Sequence, residues 1–239
     1  MLIAHLRSPR SPVALAFRGV PLRWSHFVEI LKVGVPGLVN VLITNLSVVV
    51  LTGIAGHLGP EVAIGYAMGA RLEYILIPLA FGFGTAIVAM VGTNWGARQY
   101  RRARRIAWIG AATVAATCAA IGVFVAASPA LWMGLYTDDE GIVSAGAWYL
   151  RIVGPIYGLY GLGMALYFAT QGFGNVTWTV AANGLRLLAS SGCALAAAFW
   201  FDLGPMGFFG AVAAGFCAYA ALTAVAVARV PDPASKAAT

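Results

Sequence analysis

One acidic side chain, Glu73, lies deep inside a long apolar run, roughly ten residues from its start, which corresponds to the middle of a membrane at helical rise. A charge in that environment is costly and is therefore a candidate for function. Pro78 follows five positions later, and a helical proline leaves the carbonyl four residues before it, that of Tyr74, without its amide donor. A carboxylate beside a freed carbonyl is typical of cation sites in broken membrane helices. The alternative is an ordinary proline kink that a neighbouring helix satisfies.

Three arginines also lie inside apolar runs. Arg186 is at a depth similar to that of Glu73, and we expect that the two can pair. Arg71 and Arg151 lie nearer the outer ends of their runs, where arginines commonly reach the interface or join helices. We therefore predict a cation or coupling site at Glu73, Tyr74 and Arg186, structural charges at Arg71 and Arg151, and hinges at Pro78 and Pro155.

The fourth apolar run carries two stripes of residues at helical spacing. The first contains small residues suited to close helix packing in membranes: Gly154, Gly158, Gly161, Ala165 and Ala169. The second contains aromatic and polar residues: Tyr157, Tyr160, Met164, Tyr167 and Gln171. Hydroxyls that face lipid lack partners, so the second stripe should face protein or a cavity. Its aromatic and methionine side chains suit bulky organic cations, although simple core packing is the alternative.

The first apolar run adds polar side chains to this picture. Asn40, Thr44 and Ser47 share one helical face, and Asn45 lies on another. We predict that the following residues line a substrate cleft: Asn40, Thr44, Asn45, Tyr157, Tyr160, Met164, Tyr167 and Gln171. Motifs of soluble hydrolases, zinc proteases and phosphate-binding loops are absent from the sequence. We therefore expect neither an enzyme nor a resident metal, and we expect the three cysteines to be small buried residues.

The elements that position these residues must be membrane helices. Of 239 residues, 61% are hydrophobic and 10% are charged, whereas a soluble domain has about 25% charged residues. Six windows are long enough to cross a bilayer: Ile30–Gly56, Ala63–Gly92, Ile106–Trp132, Val143–Thr170, Val176–Phe201 and Met206–Ala228. These runs are continuous rather than alternating, which excludes a membrane barrel. The predicted fold is an all-α integral membrane bundle of six helices.

The net charge of +7 comes mainly from basic residues in the segments between the apolar runs. Basic residues lie in the arm before the first run, in the second connection and in the tail, whereas the alternate connections have none. Because lysine and arginine are enriched on the cytoplasmic side, both termini should be cytoplasmic in a multi-pass plasma (inner) membrane protein. This distribution favours contact with membrane lipids and argues against nucleic acid as a partner. We predict a basic arm over 1–29, a transmembrane lobe over 30–229 and a cytoplasmic tail over 230–239.

Several segments together resemble one transporter family. They are Gly59–Ala63, Val91–Arg98, Arg101–Arg104, Leu135–Asp138, Trp148–Arg151 and Gln171–Asn175. In this order they are similar to the C-terminal six-helix lobe of multidrug and toxic-compound extrusion (MATE) transporters, over roughly Ile30 to Arg229. Residues 1–29 resemble the cytoplasmic link between the two lobes of such proteins.

The resemblance implies secondary active efflux by alternating access, with organic, often cationic, compounds exchanged for Na⁺ or H⁺ and no other cofactor. MATE proteins have two six-helix lobes, so the expected partner is a second lobe, either a copy of this chain or a separately encoded one. The acids that some members carry on the first and fourth helices are missing here, where Thr44 or Asn45 and Tyr160 stand. Three alternatives stay open: an idle remnant of a larger transporter, a non-transporting membrane subunit, and a lipid-precursor flippase of the same superfamily.

Overall fold

The computed structural model describes residues 24–174, 177–201 and 203–230. The chain divides into two compact units, residues 1–35 and 36–239. In the described part of the first unit, the rings of Trp24 and Phe27 stack with centroids 6.0 Å apart. Most of the predicted arm (1–29) and of the predicted tail (230–239) lies outside the described residues, so the three domain boundaries stay predictions.

The described residues are almost entirely helical. The helices are α1 (Trp24–His57), α2 (Pro60–Gly96), α3 (Tyr100–Ala127), α4 (Pro129–Met133), α5 (Glu140–Val153), α6 (Tyr157–Gly172), α7 (Thr177–Phe199) and α8 (Gly204–Ala228). A 3₁₀ turn, Gly154–Ile156, joins α5 to α6. No strand occurs within the described ranges. The predicted all-α class is confirmed.

Six helical segments are long and apolar enough to cross a membrane: Ile30–Leu58, Pro60–Gly96, Tyr100–Ala127, Glu140–Gly172, Thr177–Phe199 and Gly204–Ala228. The shortest has 23 residues, and about 20 suffice to span the hydrocarbon core. Each overlaps one of the six predicted windows. The protein is therefore a multi-pass integral membrane protein, as the composition predicts.

The third predicted window extends too far, to Trp132. Helix α3 ends at Ala127, and the short helix α4 begins at Pro129. Proline has no N–H to continue the helix and disfavours helical geometry at the residue before it, and Ser128 is accordingly not helical, with φ −135° and ψ 61°. The indole of Trp132 then donates to the Met68 carbonyl at 3.1 Å, which holds α4 against α2.

The small-residue stripe of the fourth span packs against α3. A Cβ on Gly158 would lie 2.8 Å from the Ala119 Cβ, and a Cβ on Gly161 would lie 2.7 Å from the Cys118 Sγ. These distances are shorter than normal contacts, so only glycine permits this approach. The stripe thus has the packing role that its spacing predicts.

The expected burial of all three cysteines is correct only for Cys118. Cys193 on α7 is exposed and Cys217 on α8 is partly exposed. In a membrane span, an exposed position faces lipid or another membrane-embedded chain, and a weakly polar thiol is tolerated in either environment. Apolarity along the sequence therefore does not distinguish a core position from a lipid-facing one.

Candidate functional site

A cavity of about 590 Å³ lies within the second unit, between helices α1, α2, α6, α7 and α8. Ligand pockets typically have volumes of about 300–1,000 Å³ and mostly apolar walls with a few polar groups. The walls of this cavity combine aromatic and aliphatic side chains with a small number of amide, hydroxyl and charged groups. The cavity is therefore large enough for a drug-sized organic molecule.

Most of the sequence-predicted site residues line this cavity. They are Asn40, Thr44, Asn45, Glu73, Tyr74, Tyr160, Met164, Tyr167, Gln171 and Arg186. These residues come from four different helices, and the fold brings them together around one space. Among the described residues that line it, Glu73 is the one acid and Arg186 the one base.

Tyr157 was predicted to line the cleft, but it lies outside the cavity wall and is fully buried. It is one helical turn from Tyr160, and at that level of α6 it meets Tyr149 instead of open space. The two hydroxyl oxygens are 3.1 Å apart. A helical stripe predicts a shared face, but it does not predict where along the helix a cavity ends.

The Glu73 carboxylate accepts a hydrogen bond from Tyr149. The Tyr149 hydroxyl is 2.8 Å from Oε1 of Glu73, and Tyr149 is fully buried on α5. The acid at the cavity wall is therefore backed by a chain of two tyrosine hydroxyls, Tyr149 and Tyr157. Sequence reasoning missed Tyr149, because nothing local to it indicates a partner 76 residues away.

Gly69 makes room for this tyrosine on helix α2. A Cβ there would lie 2.4 Å from Cδ1 of Tyr149, far inside normal contact distance. Gly69 precedes Glu73 by four residues, so both are on the same helix face. The ring of Tyr149 crosses α2 at the glycine, and its hydroxyl reaches the carboxylate one turn further along.

Helices α1 and α7 meet through a polar seam, formed by Asn40, Thr44 and Ser47 on α1 and by Asn183 and Arg186 on α7. Ser190, also at the cavity wall, donates to the Arg186 carbonyl of its own helix. Nδ2 of Asn183 lies 3.1 Å from the Asn40 carbonyl, 2.9 Å from the Asn40 Oδ1 and 3.0 Å from the Thr44 Oγ1. Sequence reasoning identified the α1 side but missed Asn183 and Ser190. Their three- and four-residue spacing from Arg186 was the available signal.

Arg186 belongs to this seam. Its Nε donates to the Asn183 Oδ1 at 2.9 Å, and its Nη2 lies 3.4 Å from the Ser47 Oγ. The guanidinium also lies over the rings of Phe216 and Tyr219, 5.5 and 5.7 Å from their centroids. The residue is only 8% exposed.

Glu73 and Arg186 border the same cavity but do not form the direct pair expected from their depth. Within the described part of the chain, the carboxylate of Glu73 takes its hydrogen bond from Tyr149, and Arg186 donates to neutral oxygens. Similar depth in two helices does not guarantee contact, because Arg186 extends toward α1 and α8 while Glu73 is held by α5.

The remaining predicted residues lie outside the cavity wall. Pro78 is inside the continuous helix α2, and Pro155 is in the 3₁₀ turn between α5 and α6. The guanidinium of Arg71 lies 5.0 Å from the ring centroid of Tyr136, and that of Arg151 lies 5.7 Å from that of Trp148. Both arginines are exposed, and their role as structural charges stays a prediction.

Comparison with known proteins identifies this architecture. The family model MatE matches residues 36–195. The chain belongs to the MatE family. Among curated relatives, this MatE chain is 28% identical over 210 residues to the probable multidrug resistance protein NorM of Aromatoleum aromaticum, covering 83% of the chain and 42% of the relative. It is 25% identical over 159 residues to the NorM protein of Thermotoga maritima, covering 65% and 34% respectively.

Solved structures give the same fold. The crystal structure of MATE in complex with MaL6 matches with a TM-score of 0.80 and 20% identity, over 95% of this chain and 52% of that one. A MOP superfamily transporter from Pyrococcus furiosus matches with a TM-score of 0.78 and 21% identity, over 92% and 50%. The chain spans about half the length of these structures and less than half that of the curated relatives, which is compatible with the predicted single lobe.

Proposed function

We propose that this chain is one half of a secondary active transporter that exports organic, cationic compounds in exchange for Na⁺ or H⁺. The observation that supports this most directly is the cavity of about 590 Å³, which combines aromatic walls with one acid in the middle of a membrane span. Tyrosine and phenylalanine rings attract organic cations, and the flexible side chain of Met164 adapts to different shapes. Membership of the MatE family supports the same conclusion.

The second half of the transporter is a further six-helix lobe, either another copy of this chain or a separately encoded partner. Transporters of this kind place the substrate site between two lobes. Rocking of the lobes opens this site first to one side of the membrane and then to the other. In this chain the cavity is lined from one lobe only, and the chain covers 52% of a two-lobe structure. A lobe in the same orientation would complete the walls.

Glu73 is the site of ion coupling in this proposal. It is the one acid among the residues that line the cavity, and it accepts from Tyr149 at 2.8 Å. A proton or a sodium ion on this carboxylate changes the charge of the cavity, with the Tyr74 carbonyl, freed by Pro78, as a second oxygen for sodium. The ion then shifts the balance between inward-open and outward-open states by binding one of them better.

Purified protein in lipid vesicles tests this function. A pH gradient or a sodium gradient is imposed separately, and the movement of a fluorescent organic cation such as ethidium is followed. The proposal expects gradient-driven movement by wild type. The Glu73→Gln variant should lose the response to the gradient, while Glu61→Gln, an acid outside the cavity, should keep it.

Three results would contradict parts of this proposal. Unchanged coupling in Glu73→Gln would remove Glu73 from the mechanism. Absence of movement under either gradient, in vesicles where two copies can meet and also with an added second lobe, would favour a non-transporting subunit. Movement of a lipid-linked precursor instead of ethidium would favour the flippase alternative.

A further inference from the structure

Arg186 is a buried charge whose bonds do not account for its burial. It is 8% exposed, and a charge in the membrane interior is retained at considerable cost. Its two hydrogen bonds go to neutral oxygens, Oδ1 of Asn183 and Oγ of Ser47. A guanidinium has five N–H donors, so most of its donors are not used by these two bonds. Among the described residues, none of its hydrogen-bond acceptors is a carboxylate.

The remaining donors of Arg186 reach the cavity. In the described structure, two buried side-chain atoms are enclosed by protein without a hydrogen-bond partner: Nε of Arg104 and Oγ of Ser191. No nitrogen of Arg186 is in this position, so its unbonded donors are not enclosed by protein. Arg186 lines the cavity, so its unused N–H groups are open to whatever occupies that space. A buried guanidinium that faces a ligand-sized cavity can donate hydrogen bonds to an anion bound there.

The position of Arg186 is fixed by its neighbours. Nδ2 of Asn183 is held by three acceptors on α1, which orients its Oδ1 toward Nε of Arg186 at 2.9 Å. The rings of Phe216 and Tyr219 support the guanidinium from α8. The group is thus preorganised by helices α1, α7 and α8, as a specific binding site requires.

We propose that Arg186 is an anion subsite of the cavity, which binds the carboxylate of an amphipathic organic acid or zwitterion. This inference rests on the proposed function, in which the cavity holds the transported compound. The apolar body of the ligand packs against rings such as Phe216 and Tyr160. In a zwitterion the cationic end faces Glu73, the oppositely charged group of the same cavity.

Three dansyl compounds with the same fluorophore test the charge preference. Dansylglycine carries a carboxylate, its methyl ester is neutral, and dansylcadaverine carries an ammonium. Each is titrated against the purified chain in phosphatidylcholine nanodiscs, with empty nanodiscs to subtract partition into lipid. We expect dansylglycine to bind roughly tenfold or more tightly than its ester, the range of one charge-assisted hydrogen bond. Equal binding of acid and ester by wild type would overturn the proposal.

Substitutions test whether Arg186 is the residue that recognises the carboxylate of dansylglycine. Arg186→Gln should weaken dansylglycine binding by roughly tenfold or more and leave ester binding within about twofold. Arg186→Lys, which keeps the charge, should retain a preference for the acid. The control Arg71→Gln removes an arginine that lies nearer the outer end of its span and outside the cavity wall, and it should bind like wild type.

Glu73→Gln gives a test of opposite sign. It removes the negative charge from the cavity, so dansylglycine should bind more tightly than to wild type. Equal loss of acid and ester binding in Arg186→Gln, with unchanged acid binding in Glu73→Gln, would identify Arg186 as a structural link between helices and overturn the proposal. If Arg186→Gln does not fold, the wild-type comparison and Glu73→Gln still decide the matter.

Failure of this inference is distinguishable from failure of the proposed function. Gradient-driven movement of dansylcadaverine, without any preference of the protein for dansylglycine, would overturn the anion subsite and leave efflux intact. Binding of dansylglycine that depends on Arg186, without movement of any compound, would support the subsite and contradict transport. If no dansyl compound of any charge binds, the anion subsite fails, and the ethidium assay decides separately whether the protein transports.

Discussion

Single side chains at the cavity wall differ in how they are held. Glu73 has a hydroxyl donor behind it at 2.8 Å, from a tyrosine that is itself fully buried. Arg186 is held by amide and hydroxyl oxygens of the polar seam and by two aromatic rings. The acid and the base therefore have independent supports, and substitutions should affect them separately.

Removing the Tyr149 hydroxyl should impair coupling more than binding. Tyr149→Phe keeps the ring but removes the hydroxyl that donates to Oε1 of Glu73, at a stability loss of about 1 kcal/mol. We expect ethidium movement under an imposed gradient to fall about tenfold, while dansylcadaverine binding to the cavity is preserved.

The matched control for this prediction is Tyr100→Phe, at the start of α3, where the ring packs on Trp95 with centroids 4.7 Å apart. That variant should transport like wild type. Gradient-driven movement at the wild-type rate in Tyr149→Phe would show that the hydroxyl does not assist Glu73.

Asn183 should matter more for stability than an asparagine that bonds within its own helix. Asn183→Ala removes the links to Asn40 and Thr44 and also the acceptor of Arg186. Polar bonds between membrane helices contribute about 0.6 kcal/mol each on average, so a loss of roughly 1–2 kcal/mol is expected in thermal unfolding in detergent.

Asn45→Ala is the control for Asn183, because among the described residues its Nδ2 donates to the Val41 carbonyl of the same helix alone, at 2.9 Å. Its unfolding should be nearly that of wild type. Equal destabilisation by the two alanine variants would argue against a special role of the α1–α7 seam.

Close packing between helices shapes the candidate site, and glycines on α2 make this close packing possible. Helix α2 carries Gly69 at the crossing of Tyr149 and Gly84 at the ring of Phe168, where a Cβ would lie 2.3 Å from Cδ2. Overpacking of this kind typically costs about 1–3 kcal/mol. Both glycines are within the span that carries Glu73, so the same helix that presents the acid is shaped to receive its neighbours.

Gly69→Ala should reproduce the effect of Tyr149→Phe. The new Cβ would lie 2.4 Å from the fully buried Tyr149 ring, so the ring must shift and its hydroxyl leaves Glu73. We expect a stability loss of about 1–3 kcal/mol and weakened gradient response, measured by thermal unfolding and by the vesicle assay.

Gly192→Ala serves as the comparison, since a Cβ on this α7 residue meets nothing within 4 Å. A helical alanine there should leave stability unchanged or raise it by up to about 1 kcal/mol. Wild-type coupling in Gly69→Ala would mean that α2 and α5 adjust without loss of the hydrogen bond.

The whole molecule combines six membrane-compatible spans with an uneven distribution of basic residues. We propose that both termini and the basic segment 98–105, which covers the turn between α2 and α3 and the start of α3, are on the cytoplasmic side of the inner membrane. The acidic connection that contains Asp138 and Asp139 is then outside.

Labelling of introduced cysteines tests this orientation. In a background with Cys118, Cys193 and Cys217 replaced by alanine, a cysteine at Gln99 should react with a membrane-impermeant maleimide only after permeabilisation. A cysteine at Asp138 should react in intact cells. Labelling of the Gln99 position from outside would reverse the predicted topology.

The sequence by itself determined the number and approximate extent of the spans, the all-α class and the family resemblance. Apolar length is a property of contiguous residues, and it is largely independent of how helices pack. The sequence also identified most of the polar side chains that line the cavity, because polar groups within apolar runs must face away from lipid. It erred at Ser128–Pro129, where local proline geometry ends α3 before the apolar run ends.

Only the tertiary structure decided which polar groups meet. Tyr149 rather than Arg186 is the partner of Glu73, Asn183 joins α1 to Arg186, and Tyr157 lies behind the cavity wall. Such contacts depend on the rotation and depth of each helix relative to its neighbours. Those quantities are set by packing at positions such as Gly69, where a single absent Cβ decides how near two helices come.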